Sequence, residues 1–273
     1  MPDTGGRLFA RTVMARAYPR VIMLVREKWW VLFDIVLPLL GVSAYVLMYR
    51  ANGAPAELVG FAIVGGAMSA YWMNVLWAMS NQLFWERETG NLALYIMAPN
   101  SMMAILLGMA LGGMVGTTLR AAAILLVGGM LFDVEFTVSS IPMLAAVFVC
   151  SLVALYGMGM MFASLFLLLG REGWHLVNLA QEPVYLISGT YFPITGFNFW
   201  VAAGASIIPL TLALDALRQL SFAAGPESGF LEVRLELALL ISLSAVFLVA
   251  AGKLLRHLER VAIAEGRLTE SRG

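Results

Sequence analysis

The sequence predicts an all-α, polytopic membrane protein. Three observations carry the prediction: 61% of the 273 residues are apolar and 12% charged, mean hydropathy is +0.86, and the charges gather at the two ends. Soluble domains average roughly half apolar and a quarter charged residues. Six cationic side chains precede Trp29 and five follow Gly252, with long, nearly uncharged runs between them. A helix crosses the hydrocarbon core with roughly 20 apolar residues, which leaves room for about six crossings and little else. Residues 1–273 therefore read as a single transmembrane domain.

Residues 1–28 scatter Arg7, Arg11, Arg16 and Arg20 among Leu8, Val13, Val21 and Leu24. That pattern suits an amphipathic helix on anionic headgroups, or charge that merely sets topology. The segment lacks the short apolar core and cleavage site of a signal peptide, so it is expected to be retained. The first span runs from about Trp29 to Tyr49, opening on Trp29 and Trp30 and carrying Asp34; the second, about Leu58 to Phe84, has no formal charge. Trp85-Glu86-Arg87-Glu88-Thr89-Gly90-Asn91 follows, then Leu92 to Ala98 and Pro99-Asn100-Ser101. This piece is too short to cross and too apolar to float freely. Span three, about Met102 to Leu131, holds Arg120 and exits at Asp133 and Glu135. Span four covers about Ile141 to Gly170, before Arg171-Glu172; span five begins near Trp174, contains Glu182-Pro183 and breaks at Ser188-Gly189. Span six is about Leu237 to Leu255.

Between spans five and six, Pro193, Gly196, Gly204, Pro209, Gly225 and Pro226 cut the chain into apolar pieces too short to cross. Backbone in lipid must satisfy its own hydrogen bonds, so a re-entrant helical hairpin is expected over 191–232. With the termini inside, thirteen Lys and Arg lie on the inner side and only Arg50, Arg218 and Arg234 on the outer. Both termini are therefore expected in the cytoplasm of a cell whose inner membrane holds the protein. No internal duplication is visible, unlike many secondary transporters.

Composition also excludes functions. Zero net charge gives no electrostatic case for nucleic acid. One cysteine, Cys150, and two histidines, His175 and His257, cannot supply a Cys/His metal site. Gly252-Lys253 resembles the end of a P-loop, but Phe247 holds the upstream glycine position and Leu254 the hydroxyl position, so no nucleotide cofactor is expected in this chain. No catalytic constellation is visible.

Three intramembrane charges need explanation, since each costs roughly 2.5–3.5 kcal/mol at the bilayer centre. Asp34, near the inner surface, reaches water or a basic neighbour. Arg120, about 27 Å along span three at helical rise, is expected to snorkel to the outer surface. Glu182, near 12 Å depth, is a candidate for function or for a packing hydrogen bond. Tyr71, Asn74, Ala78 and Asn81 share one face of span two, and span five offers Gln181, Glu182 and Tyr185. These polar groups line a pathway or serve as interhelical hydrogen bonds. Gly108, Gly112 and Gly116 make a stripe for close helix packing.

Glu86-Arg87-Glu88-Thr89-Gly90, Leu94, Ala98-Pro99-Asn100-Ser101 and Leu107-Gly108 together resemble the cytoplasmic signature of the ABC-2 permease family, membrane subunits of ABC exporters. Ser188-Gly189 with Phe192-Pro193, then Pro209-Leu210-Thr211, Ala213-Leu214 and Ala216-Leu217-Arg218, resembles that family's external re-entrant segment. Asn91 departs from the Gly-Thr often found there. The resemblance implies a coupling helix at 85–100, in which Glu86, Arg87, Glu88, Thr89 and Gly90 dock on a separate soluble ABC ATPase that binds ATP and Mg. Read from composition alone, that segment is a solvated knot with a helix start. The resemblance further implies a substrate pathway at Tyr71, Asn74, Asn81, Gln181, Glu182 and Tyr185, a re-entrant gate at Phe192, Pro193 and Pro209, and a dimer with a second copy or paralogue. The implied activity is export of a hydrophobic or amphipathic drug, lipid or peptide-like molecule; a lipid-linked glycan is an alternative cargo. From other classes come a proton-coupled secondary transporter with Glu182 as its relay and an intramembrane enzyme or assembly factor.

Overall fold

The computed structural model describes residues 5–26, 28–97, 101–169 and 172–265. Among them the chain is helical, without a strand: α1 (Gly5–Arg26), α2 (Lys28–Ala51), α3 (Ala56–Met73), a π-helical turn (Asn74–Met79), α4 (Gln82–Glu88), α5 (Asn91–Met97), α6 (Met102–Leu131), α7 (Ile141–Leu169), α8 (Glu172–Ile187), a 3₁₀ turn (Ile194–Gly196), α9 (Phe199–Ala205), α10 (Pro209–Ser221), α11 (Gly225–Ser228) and α12 (Val233–Glu265). Ala98, Pro99, Asn100 and Arg171 of the sequence motifs lie outside the described residues.

Five stretches are long and apolar enough to cross a membrane: Leu32–Ala51, Ala56–Glu88, Met102–Leu131, Ile141–Leu165 and Val233–Leu258. A sixth arises if α9 and α10, bent by 108° at their junction, count as one broken span. The predicted span five corresponds to α8, whose 16 residues contain Pro183. At about 1.5 Å per residue it reaches only about 24 Å, short of the roughly 30 Å core.

The Ala56–Glu88 helix stack is the hub of the core. Phe61, Ala62, Ile63, Tyr71, Trp72, Val75, Leu76 and Leu83 are each at most 3% exposed, because α2, α6, α7 and α10 surround that stack. α7 packs along α12, and α1 along α6. The α1 contact explains the glycine stripe. A Cβ on Gly108 would stand 2.5 Å from the Val13 carbonyl oxygen, one on Gly112 2.8 Å from that of Ala17, and one on Gly116 2.7 Å from the Leu24 side chain. α1 therefore climbs α6 in close backbone contact instead of only lying across it.

That climb overturns the snorkelling expectation for Arg120. α2 starts well up the length of α6, so Asp34 comes level with Arg120 and the two form an ion pair. Each solves the other's desolvation problem, which neither aqueous surface needs to solve.

Candidate functional site

The sequence-predicted residues fall into three assemblies, at one end, the middle and the other end of the bundle. At the first end, α4 and α5 form a knob turned by Thr89 and Gly90. Gly90 has φ +78°, open to glycine at no steric cost, and the Thr89 hydroxyl donates to the Trp85 carbonyl at 3.0 Å. Glu86 is only 8% exposed. Its carboxylate accepts from Arg16 Nη2 at 3.0 Å, Gln82 Nε2 at 2.9 Å, Asn91 Nδ2 at 3.1 Å and the Tyr95 hydroxyl at 2.8 Å. Arg16 also donates to the Tyr95 oxygen and lies 4.5 Å from its ring centroid. Arg20 donates to Gln82 and, at 3.3 Å, to the Met109 carbonyl.

Burial, reinforced by the bond to Glu86, pushes the Tyr95 phenol up to about 12. The same burial lowers the Arg20 guanidinium from its ordinary value, with Arg16 beside it adding to the effect. Glu86 thus welds α1, α4 and α5 together. Arg87 and Glu88, 3.7 Å apart, are exposed along with Thr89 and Gly90. Trp85, Leu94 and Met97 add 53%, 60% and 71% exposed apolar surface around them. A rigid knob with an apolar, charge-bordered tip is suited to protein contact.

In the middle, the predicted pathway residues divide. Tyr71 donates to Thr118 Oγ1 at 2.9 Å, the Tyr156 hydroxyl donates to Asn74 Oδ1 at 2.9 Å, and buried Asn81 donates to the Trp77 carbonyl at 3.3 Å. These three are committed to the interior of the chain. Gln181, Glu182 and Tyr185 sit on α8: Gln181 accepts from Trp77 Nε1 at 2.7 Å and donates to Glu182 at 3.0 Å, and Glu182 is exposed. Trp77 lies in the π turn, where Ser80 N bonds back to the Val75 carbonyl at 3.0 Å. The inserted residue swings Trp77 toward α8 while Asn74 keeps its place beside α7. Helical periodicity contains no signal for that turn. Tyr71 and Thr118 also border an open apolar cavity of about 480 Å³ between α3, α6, α7 and α10.

At the far end, the chain reverses after α8 at Gly189, φ +68°. Phe192 packs edge-on to Phe197 at 5.4 Å, Pro193 leads into the 3₁₀ turn, and Pro209 opens α10. The predicted gate residues thus bracket α9. Arg218, counted from sequence among the outer charges, is 3% exposed. Its guanidinium donates to the carbonyls of Gly189 at 2.7 Å, Thr190 at 2.7 Å, Phe192 at 3.1 Å and Phe61 at 2.9 Å. Tyr45 stacks on Tyr191 at 3.8 Å, and the Tyr49 hydroxyl donates to the Tyr191 carbonyl at 3.0 Å. Burial first, then Tyr45 and Glu182, push the Tyr191 phenol up to about 12. Sequence reasoning missed Arg16, Gln82 and Tyr95 at the knob; Arg218's cluster of carbonyl partners is equally invisible in one dimension.

Among the described residues no group of three or more His, Cys, Asp or Glu is placed to hold a metal. Comparison with protein-family models and with curated proteins produced no match.

Proposed function

We propose that the chain is the permease subunit of an ATP-driven exporter, six-spanning with both termini cytoplasmic, working with a soluble ABC ATPase and a second permease copy or paralogue. The observation that carries the reading is the α4–α5 knob. It projects between two spans, is held rigid through Glu86 to α1, which Arg20 ties in turn to α6, and presents Trp85, Arg87, Glu88, Leu94 and Met97 outward. An element of that build transmits a push on its tip into the bundle, because its base is bonded to the helices that must move. Exposed Glu182 on a short α8 supports a second copy, since an ionisable group left against hydrocarbon is costly. The cargo class is hydrophobic or amphipathic, in keeping with the aromatic and amide groups beside the spans.

The test is reconstitution in proteoliposomes with and without a co-expressed ABC ATPase. Cargo movement that needs ATP and the second subunit, and that is lost when Arg87 and Glu88 are reversed in charge, supports the reading. Movement by the chain alone under a proton gradient overturns it in favour of a secondary transporter.

A further inference from the structure

Behind the hairpin, α10 and the start of α12 bury two carboxyl groups against each other. Asp215 is 5% exposed and Glu236 0%. Asp215 Oδ2 accepts from Gln219 Nε2 at 3.0 Å and from the Phe230 backbone N–H at 2.7 Å. Glu236 is poorly served: Oε1 is buried with no partner, and Oε2 has only Gln219 Nε2 at 3.3 Å. That same amide nitrogen also approaches the Leu231 carbonyl at 2.7 Å. One NH₂ group has two hydrogens for three acceptors. Asp215 Oδ2 and Glu236 Oε2 are thus brought together at one amide nitrogen, 3.0 Å and 3.3 Å from it.

Two buried carboxylates sharing one amide cannot both stay ionised with so few donors. The surrounding charges do little to relieve the pair. On α10, Arg218 neighbours Asp215 but spends its Nη atoms on carbonyls. Glu232 and Arg234, ahead of Glu236, are exposed and 4.0 Å from each other. Glu227 on α11 is exposed, and α7 and α9 contain no charged residue. Asp133 and Glu135 belong to the segment after α6, joined to α10 by the Thr137 N–H to the Ser221 carbonyl. Asp215 is the better served of the two, with two N–H donors on Oδ2.

We propose that Asp215 and Glu236 form a proton-binding site, in which a hydrogen ion held on Glu236 bridges to Asp215 and latches the hairpin onto the last span. The site goes beyond the exporter proposal and does not depend on it. The latch holds the 229–232 turn through Phe230 N and Leu231 O. Loss of the proton to water leaves two carboxylates facing each other and drives α10 from α12. The turn is packed tightly enough to register this: a Cβ on Gly229 would lie 2.4 Å from the Gln219 side chain.

The experiment uses the full chain in nanodiscs. Infrared spectra at neutral pH are expected to show the C=O stretch of a protonated carboxyl in the wild type and to lose it in Glu236→Gln. In parallel, Ser228→Cys in a Cys150→Ser background is titrated with a maleimide. The labelling rate, divided at each pH by that of a small free thiol to remove the thiolate's own pH dependence, is expected to rise several-fold with pH in the wild-type site and to stay flat with Glu236→Gln, which keeps the neutral shape. Asp215→Asn provides the second variant, and it too should flatten the profile because no facing charge remains. Absence of the protonated-carboxyl band, or a pH dependence of the normalised labelling rate that survives in Glu236→Gln, overturns the proposal.

Discussion

Replacing Glu86 with alanine removes the common acceptor of four donors and strands Arg16 beside Arg20 at the base of the knob. A hydrogen bond to a charged group contributes about 1.5–3 kcal/mol, and removing one member of a buried ion pair costs about 3–5 kcal/mol. The Arg16 and Glu86 side chains are 29% and 11% exposed, so the lower end applies. We expect about 3 kcal/mol, which for a chain of this size lowers Tm by roughly 6–12 °C. Glu86→Gln, which retains an acceptor oxygen, should lose about half as much. The assay is thermal unfolding in one detergent, followed by size-exclusion recovery, for Glu86→Ala, Arg16→Ala and the double variant. The double variant should be less destabilised than the sum of the singles, with a coupling above about 1 kcal/mol. A Glu86→Ala protein melting within about 2 °C of wild type, with additive singles, refutes the assignment of Glu86 as the weld. Glu86→Lys consequently tests folding as much as docking, and the docking question belongs to Arg87 and Glu88.

Trp85→Ser combined with Leu94→Ser should leave Tm within about 1 °C, since both side chains are exposed, yet abolish ATPase association measured by co-purification. Asp34→Asn should destabilise by about 3 kcal/mol by leaving the Arg120 cation unpaired; the exchange Asp34→Arg with Arg120→Asp should recover most of that in the same melting assay. Arg218→Lys should loosen the hairpin, because one ammonium cannot span four carbonyls on two segments, and limited proteolysis after residue 190 should speed up several-fold. Gly65→Ala should cost at least the 1–3 kcal/mol typical of overpacking, because its Cβ would fall 1.6 Å from the Thr190 carbonyl oxygen.

The helical class was legible because it rests on local quantities. Apolar run length marks α2, α3, α6, α7 and α12, and Pro193, Pro209 and Gly189 mark where the chain must break. Glycine spacing correctly indicated a packing stripe at Gly108, Gly112 and Gly116, although its partner, α1, was not identifiable. Depth counting failed for Arg120, since it assumed that α2 and α6 begin at one level, and the offset comes from α1 climbing α6. Nor could the sequence say that Arg218, counted among the outer charges, is buried with four carbonyls converging on it. Residue type alone could not say that Glu86 turns inward while Arg87 and Glu88 turn outward.

By itself the sequence determined that most of this chain is bundled helix long enough to span a bilayer, with a polar knob after the second long run and a broken stretch before the last. Those properties follow from hydrophobic length and backbone propensity, which act within one segment. Only the tertiary structure decided the pairings of Asp34 with Arg120, Glu86 with Arg16, and Asp215 with Glu236. A buried charge is settled by whatever other helices bring within about 3 Å, and that distance is set by helix offsets and crossing points that no local pattern records.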